Sequence, residues 1–178
     1  GASLEKRTPN SAVLSLRVPE EAKVYVNGRK TKTLGTTLSF ESKNLTENRD
    51  YHYRVKAEIT RDGRTFVRTK MVTLRPGKNK TVALDFDAPA TTVLALNVPE
   101  NAKVVLCGSE TKQTGTERKF VTTQLADGKV CQDYTVEVSF EVDGELVTKV
   151  RKIDLAAGDL QMMSFGESVD AETQVAAK

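Results

Sequence analysis

Tryptophan is absent from this chain, histidine occurs once and cysteine only twice. Each scarcity removes a class of chemistry. A structural or catalytic zinc site draws on three or four His, Cys or carboxylate ligands, and one histidine with two cysteines can hardly supply them. Nucleophilic catalysis needs a nucleophile, a base and an orienting group together. His52, between Tyr51 and Tyr53, has no such company and reads as an ordinary surface or strand-edge residue. The second half carries Asp133 in its place. Cys107 and Cys131 do not form a Cys-x-x-Cys motif, which a thioredoxin-type redox pair requires. With no Trp and only four Tyr, no flat aromatic platform for sugars is evident. The acidic pairs Glu20 with Glu21 and Asp85 with Asp87 lack the spacing of glycosidase carboxylates or a calcium loop. These residues predict no enzyme, no metal and no cofactor.

Long apolar runs are missing too. No stretch approaches the ~18 residues of a membrane helix, and no basic segment leads into an apolar signal region. Gly1-Ala2-Ser3 has the look of a cloning remnant. The rest is ordinary globular composition, with 38% hydrophobic and 29% charged residues, so disorder of the whole chain is not expected.

What the chain does have is a duplication. Val18-Pro19-Glu20-Glu21-Ala22-Lys23-Val24 recurs as Val98-Pro99-Glu100-Asn101-Ala102-Lys103-Val104. Gly28 then matches Gly108, Thr31-Lys32 matches Thr111-Lys112, Gly35-Thr36 matches Gly115-Thr116, Phe40 matches Phe120 and Leu45 matches Leu125. A one-residue insertion near residues 126–132 shifts the register. Beyond it Tyr53 pairs with Tyr134, Asp62-Gly63 with Asp143-Gly144 and Gly77 with Gly158.

Within each copy the apolar period is two, the mark of strands with one face in a core. Tyr53, Val55, Ala57 and Ile59 alternate with Arg54, Lys56, Glu58 and Thr60. Asn27-Gly28, Asp62-Gly63 and Pro76-Gly77 supply the turns. The hairpin register after Asp62-Gly63 stays open, because Phe66, Val67, Met71 and Val72 fall on both faces. The expected fold is all-β, two tandem small antiparallel β-sandwich modules. Residues 1–11 read as an N-terminal extension, 12–87 as the first sandwich, 92–166 as the second and 167–178 as a flexible tail, with Ala88-Pro89-Ala90 as a short linker.

Charge is divided unevenly between the copies. Residues 12–88 hold 16 Lys and Arg against 9 Asp and Glu, a net of +7, whereas residues 89–166 hold 8 against 11, a net of −3. Such asymmetry favours head-to-tail association of molecules. Arg29, Lys30 and Lys32 after the first turn, with Arg61 and Arg64 at the hairpin, are candidates for binding a polyanion, either acidic polysaccharide or nucleic acid. Arg68 and Lys70 decorate the same hairpin. A solvated basic face is the plainer reading of all of them.

The run Val-Pro-x-x-Ala-Lys-Val-x-x-x-Gly, then Thr-Lys-x-x-Gly-Thr, a Phe, Tyr-x-Val-x-Ala-Glu, and the Asp-Gly and Pro-Gly turns resembles an uncharacterised small repeat domain expanded in planctomycete proteins. That domain is itself similar to the PEGA domain of bacterial envelope proteins. The first copy matches at Val18–Val26, Gly28, Thr31–Thr36, Phe40, Tyr53–Glu58, Asp62-Gly63 and Pro76-Gly77. The second departs at Cys107, where Asn27 stands in the first, and at Ala157 in place of Pro76. The resemblance implies a transthyretin-like or PEGA-like sandwich in an extracytoplasmic setting: periplasm, cell envelope or secreted fraction. It implies a non-enzymatic binding or structural module whose partner is a protein, itself or an envelope component. In that oxidising setting Cys107 and Cys131, at a turn and at a strand start, are expected to form a disulfide, the alternative being two free thiols.

Overall fold

The computed structural model describes residues 10–32 and 35–166, together with the backbone of 173–175. Every regular element in it is a strand. The chain divides into two units between Ala90 and Thr91.

The first module contains β1 (Ala12–Arg17), β2 (Lys23–Val26), β3 (Arg29–Lys30), β4 (Thr37–Ser42), β5 (Tyr51–Arg61), β6 (Arg64–Leu74) and β7 (Lys80–Ala83). They form a three-stranded sheet, β4-β1-β7, and a four-stranded sheet, β3-β2-β5-β6. All pairings are antiparallel except β1 with β7, which is parallel. One core joins the two sheets: Leu14, Leu16, Leu38 and Leu84 on one side meet Val24, Val55, Ala57, Val72 and Leu74 on the other.

The second module repeats the plan with β8 (Thr92–Asn97), β9 (Lys103–Leu106), β10 (Ser109–Glu110), β11 (Glu117–Thr122), β12 (Val130–Val142), β13 (Glu145–Ala156) and β14 (Leu160–Ser164). The orders β11-β8-β14 and β10-β9-β12-β13 match those of the first. Equivalent loops carry equivalent bonds. Val18 N–H donates to Thr36 O at 3.0 Å and Val98 N–H to Thr116 O at 2.8 Å, while Ala22 and Ala102 each donate to the proline carbonyl three residues earlier at 3.0 Å. The repeated Val-Pro-x-x-Ala is therefore a closed turn.

The open hairpin register resolves as Arg61 opposite Arg64, with Asp62 (φ 53) and Gly63 (φ 74) as the two turn residues. Positive φ at both positions matches the right-handed strand twist. Phe66, Arg68, Lys70 and Val72 thereby share the face of Ile59, Ala57, Val55 and Tyr53. The inserted residue of the second module is a β-bulge between Cys131 and Tyr134, with Asp133 at φ 55. A bulge absorbs one residue while returning the strand to register, so Tyr134 regains the place of Tyr53.

Short β3, β4, β10 and β11 are elements that the alternation of the longer strands does not announce. The segment read as a flexible tail differs more. Thr173–Val175 form β15, antiparallel to β13 at Val147–Lys149. An edge strand recruits a neighbour through backbone hydrogen bonds, so a polar segment can pair there. Residues 167–172 and 176–178 lie outside the described residues, as do residues 1–9 of the expected extension. Asn10 and Ser11 are bonded into the first module through Leu45 and Gly77.

Candidate functional site

The five candidate cations of the first module are not one cluster. Arg29 lies on edge strand β3, level with Val26 and Val55. Arg61 and Arg64 face each other at the hairpin tip, six residues further along β5. At about 3.3 Å per residue the two groups are ~20 Å apart along the sheet. Arg61 is also engaged, its Nη2 lying 3.1 Å from Glu21 Oε1. Glu21 is held below the usual carboxylate range by a hydrogen bond from its own backbone and by Arg61. Lys32, after β3, stays with the Arg29 group.

Arg68 and Lys70 are structural. Arg68 is only 7% exposed. Its Nε donates to Asp85 O at 3.1 Å, and its Nη2 donates to Phe86 O at 3.2 Å and Ala88 O at 2.8 Å. Its guanidinium covers the Phe86 ring, 5.0 Å from the centroid. Lys70 Nζ donates to Ala83 O at 2.8 Å. These two cations bond the backbone carbonyls of the chain leaving β7 along its seam with β6. The second module uses the same two positions with the cations exchanged. Lys149, 1% exposed, faces Val138, and Arg151 faces Val136 and lies 4.5 Å from the Phe165 ring centroid. The clue in the sequence was a basic residue in core phase on both return strands.

No disulfide joins Cys107 and Cys131 in this structure, where one was expected. The local geometry gives each its own task. Cys107 is a turn residue at φ 47, where Asn27 has φ 50. Arg54 N–H donates to Asn27 Oδ1 at 2.9 Å, and Thr135 N–H donates to Cys107 Sγ at 3.3 Å. The sulfur thus takes over the bond of the amide oxygen. Cys131 stands opposite Leu155 before the bulge, in the place of Tyr51 opposite Leu74. Tyr134 lies near both thiols, and burial first, then the two sulfurs, push its phenol up from the ordinary value.

His52 is exposed and its Nδ1 is 2.9 Å from Thr73 Oγ1. Among the described residues no group of three or more His, Cys, Asp or Glu is placed to hold a metal ion, and no helix is long and apolar enough to cross a membrane.

Elsewhere the copies differ in two surface regions. The outer face of β4-β1-β7 presents Val13, Glu41, Ser15, Ser39 and Thr81, whereas that of β11-β8-β14 presents Val93, Val121, Ala95 and Met162, with Lys119 opposite Ala95. Val121 is 55% and Met162 58% exposed. The second region is the end of the first module where the β4–β5 loop meets the β6–β7 turn. A crevice of about 820 Å³ opens there between Glu47–Asp50 and Arg75–Lys78. No family model, no curated protein and no solved structure matches this chain.

Proposed function

We propose that this chain is a non-enzymatic extracytoplasmic binding or structural module, similar to the planctomycete repeat and to PEGA domains, that acts by protein–protein contact. Its partner is a second copy of the same chain. The observation that carries this reading is the apolar strip Val93, Ala95, Val121 and Met162 on the second module; the first keeps a valine, Val13, at the place of Val93 but presents Ser15, Glu41 and Thr81 at the other three. Paired cores with diverged outer faces are what a contact surface requires, since the fold does not need Val121 or Met162 in water. The net charges of −3 and +7 make the first module of another molecule the complementary occupant, in a heterologous, head-to-tail contact.

Sedimentation at several concentrations in low and high salt tests this. Growth with concentration that weakens in salt, and that is lost in Val121→Lys with Met162→Lys, is expected. A monodisperse monomer throughout overturns the reading.

A further inference from the structure

Four cations converge at the loop end of the first module, away from the hairpin tip. Arg49, Arg75 and Lys78 line the larger crevice together with two carboxylates, Glu47 and the Asp50 that Arg75 engages. Arg75 and Lys78 also line an adjoining one of about 260 Å³, together with Thr73 and Lys80. Arg75 is held in place: its Nε lies 2.7 Å from Asp50 Oδ1 and its Nη2 3.5 Å from Oδ2. That pair uses two of the five guanidinium donors and leaves the others for a ligand. Arg49 sits 5.3 Å from the Tyr51 ring centroid. The phenol accepts a 2.7 Å bond from Thr46 N–H, so the loop beneath Arg49 is tied down. Turn geometry fixes the rest, with Asn48 at φ 60 and Gly77 at φ 79.

The duplication provides the contrast. The β13–β14 turn of the second module closes through the same bond, Asp159 N–H to Ala156 O, as Lys78 N–H to Arg75 O in the first. At the positions of Arg75, Lys78 and Lys80 it carries Ala156, Asp159 and Gln161. Only Lys129 repeats a cation, that of Arg49. The fold and the turn therefore do without these charges, and their convergence in one copy calls for another account.

We infer that the paired crevices around Arg75, Lys78 and Lys80 bind an acidic polysaccharide, a chain bearing sulfate or carboxylate groups. Lys78 and Lys80 supply point charges and Arg75 a planar fork. The crevices favour a sugar polymer over single-stranded nucleic acid, because no aromatic residue lines either one and base stacking is a main source of single-strand affinity. The site is independent of the apolar strip on the second module.

The test measures binding of a heparin oligosaccharide to the full chain by calorimetry at ~50 mM and ~150 mM salt, where affinity for an anionic polymer falls as counterions are released. Lys78→Glu with Lys80→Glu is expected to weaken binding about tenfold or more and to flatten its salt dependence. Arg61→Ala with Arg64→Ala is expected to change it less than about twofold. Both pairs are exposed, and unchanged melting of each variant shows that the fold is kept. No binding at low salt overturns the inference. So does an equal loss from the hairpin-tip variant, or binding of single-stranded DNA as tight as that of heparin.

Discussion

In the first module Leu38 fills the core position of β4 opposite Leu16; in the second, Arg118 stands there opposite Leu96 and is 3% exposed. Its Nε donates to Gly115 O at 3.1 Å and its Nη2 to Glu100 O at 3.2 Å. Those carbonyls belong to the loops equivalent to Gly35 and Glu20. One copy closes that end with a methyl-bearing side chain and the other with a guanidinium bonded to backbone. The backbone plan tolerates both because a buried cation is acceptable once carbonyls accept hydrogen bonds from its N–H groups. The exchanged pairs Arg68 with Lys70 and Lys149 with Arg151 teach the same lesson at the seam.

The largest expected effect breaks this comparison at Arg118. Arg118→Ala should destabilise the second module by about 3 kcal/mol, because it leaves a void and unpaired carbonyls. Arg118→Leu, which installs the residue of the first module, should come within about 1 kcal/mol of the parent or exceed it. Amide hydrogen exchange of β8 and β12 reads both, with β1 and β5 as internal reference. A leucine variant as weak as the alanine one would show that the two ends are not interchangeable.

Ala157→Pro comes next. By analogy with Pro76 it ought to stabilise the turn, yet Ala157 N–H donates to Lys129 O at 2.9 Å, a bond proline cannot make. A loss of about 1–3 kcal/mol is expected by thermal unfolding, whereas a gain would mean that the bond is dispensable.

Cys107→Asn should work in the opposite direction. Left-handed backbone costs an ordinary residue about 1–2 kcal/mol, and asparagine tolerates it better. A gain of about 1 kcal/mol is expected in the second module, together with a stronger bond from Thr135 N–H. Chemical denaturation with a thiol-free reference, Cys107→Ala, separates the turn effect from loss of sulfur.

The smallest effect concerns the Arg61–Glu21 pair, 53% and 48% exposed at the side chains. Glu21 has a lowered folded pKa, so its contribution is present above the unfolded carboxylate value and fades as pH falls through the folded one. In an NMR titration the Glu21 midpoint should lie below 4.5 and rise in Arg61→Ala, with little change in stability. An unmoved midpoint would assign the shift to the backbone hydrogen bond alone.

Much of the fold could be read from local patterns, because period two, turn dipeptides and an internal repeat are properties of adjacent residues. Asn27-Gly28 and Asp62-Gly63 announce turns by their tolerance of positive φ, and the 80-residue recurrence of Val18–Val24 announces two equal modules. Short β4 escaped notice although Leu38 and Phe40 alternate with Ser39 and Glu41, since four residues of alternation are too few to stand apart from loop. The turn role of Cys107 is hidden for a related reason: only the fold brings Thr135 N–H to its sulfur, in the place of the turn asparagine.

The basic residues show the boundary most sharply. That the first copy is cationic follows from counting side chains, which needs no geometry. Which cations meet is decided by strand order and register. These carry Arg29 and Arg61 to distant parts of one sheet, bury Arg68 where it holds four carbonyls, and bring Arg49 and Arg75 to one crevice from two separate loops. Convergence of that kind depends on long-range backbone pairing, and no window of neighbouring residues contains it.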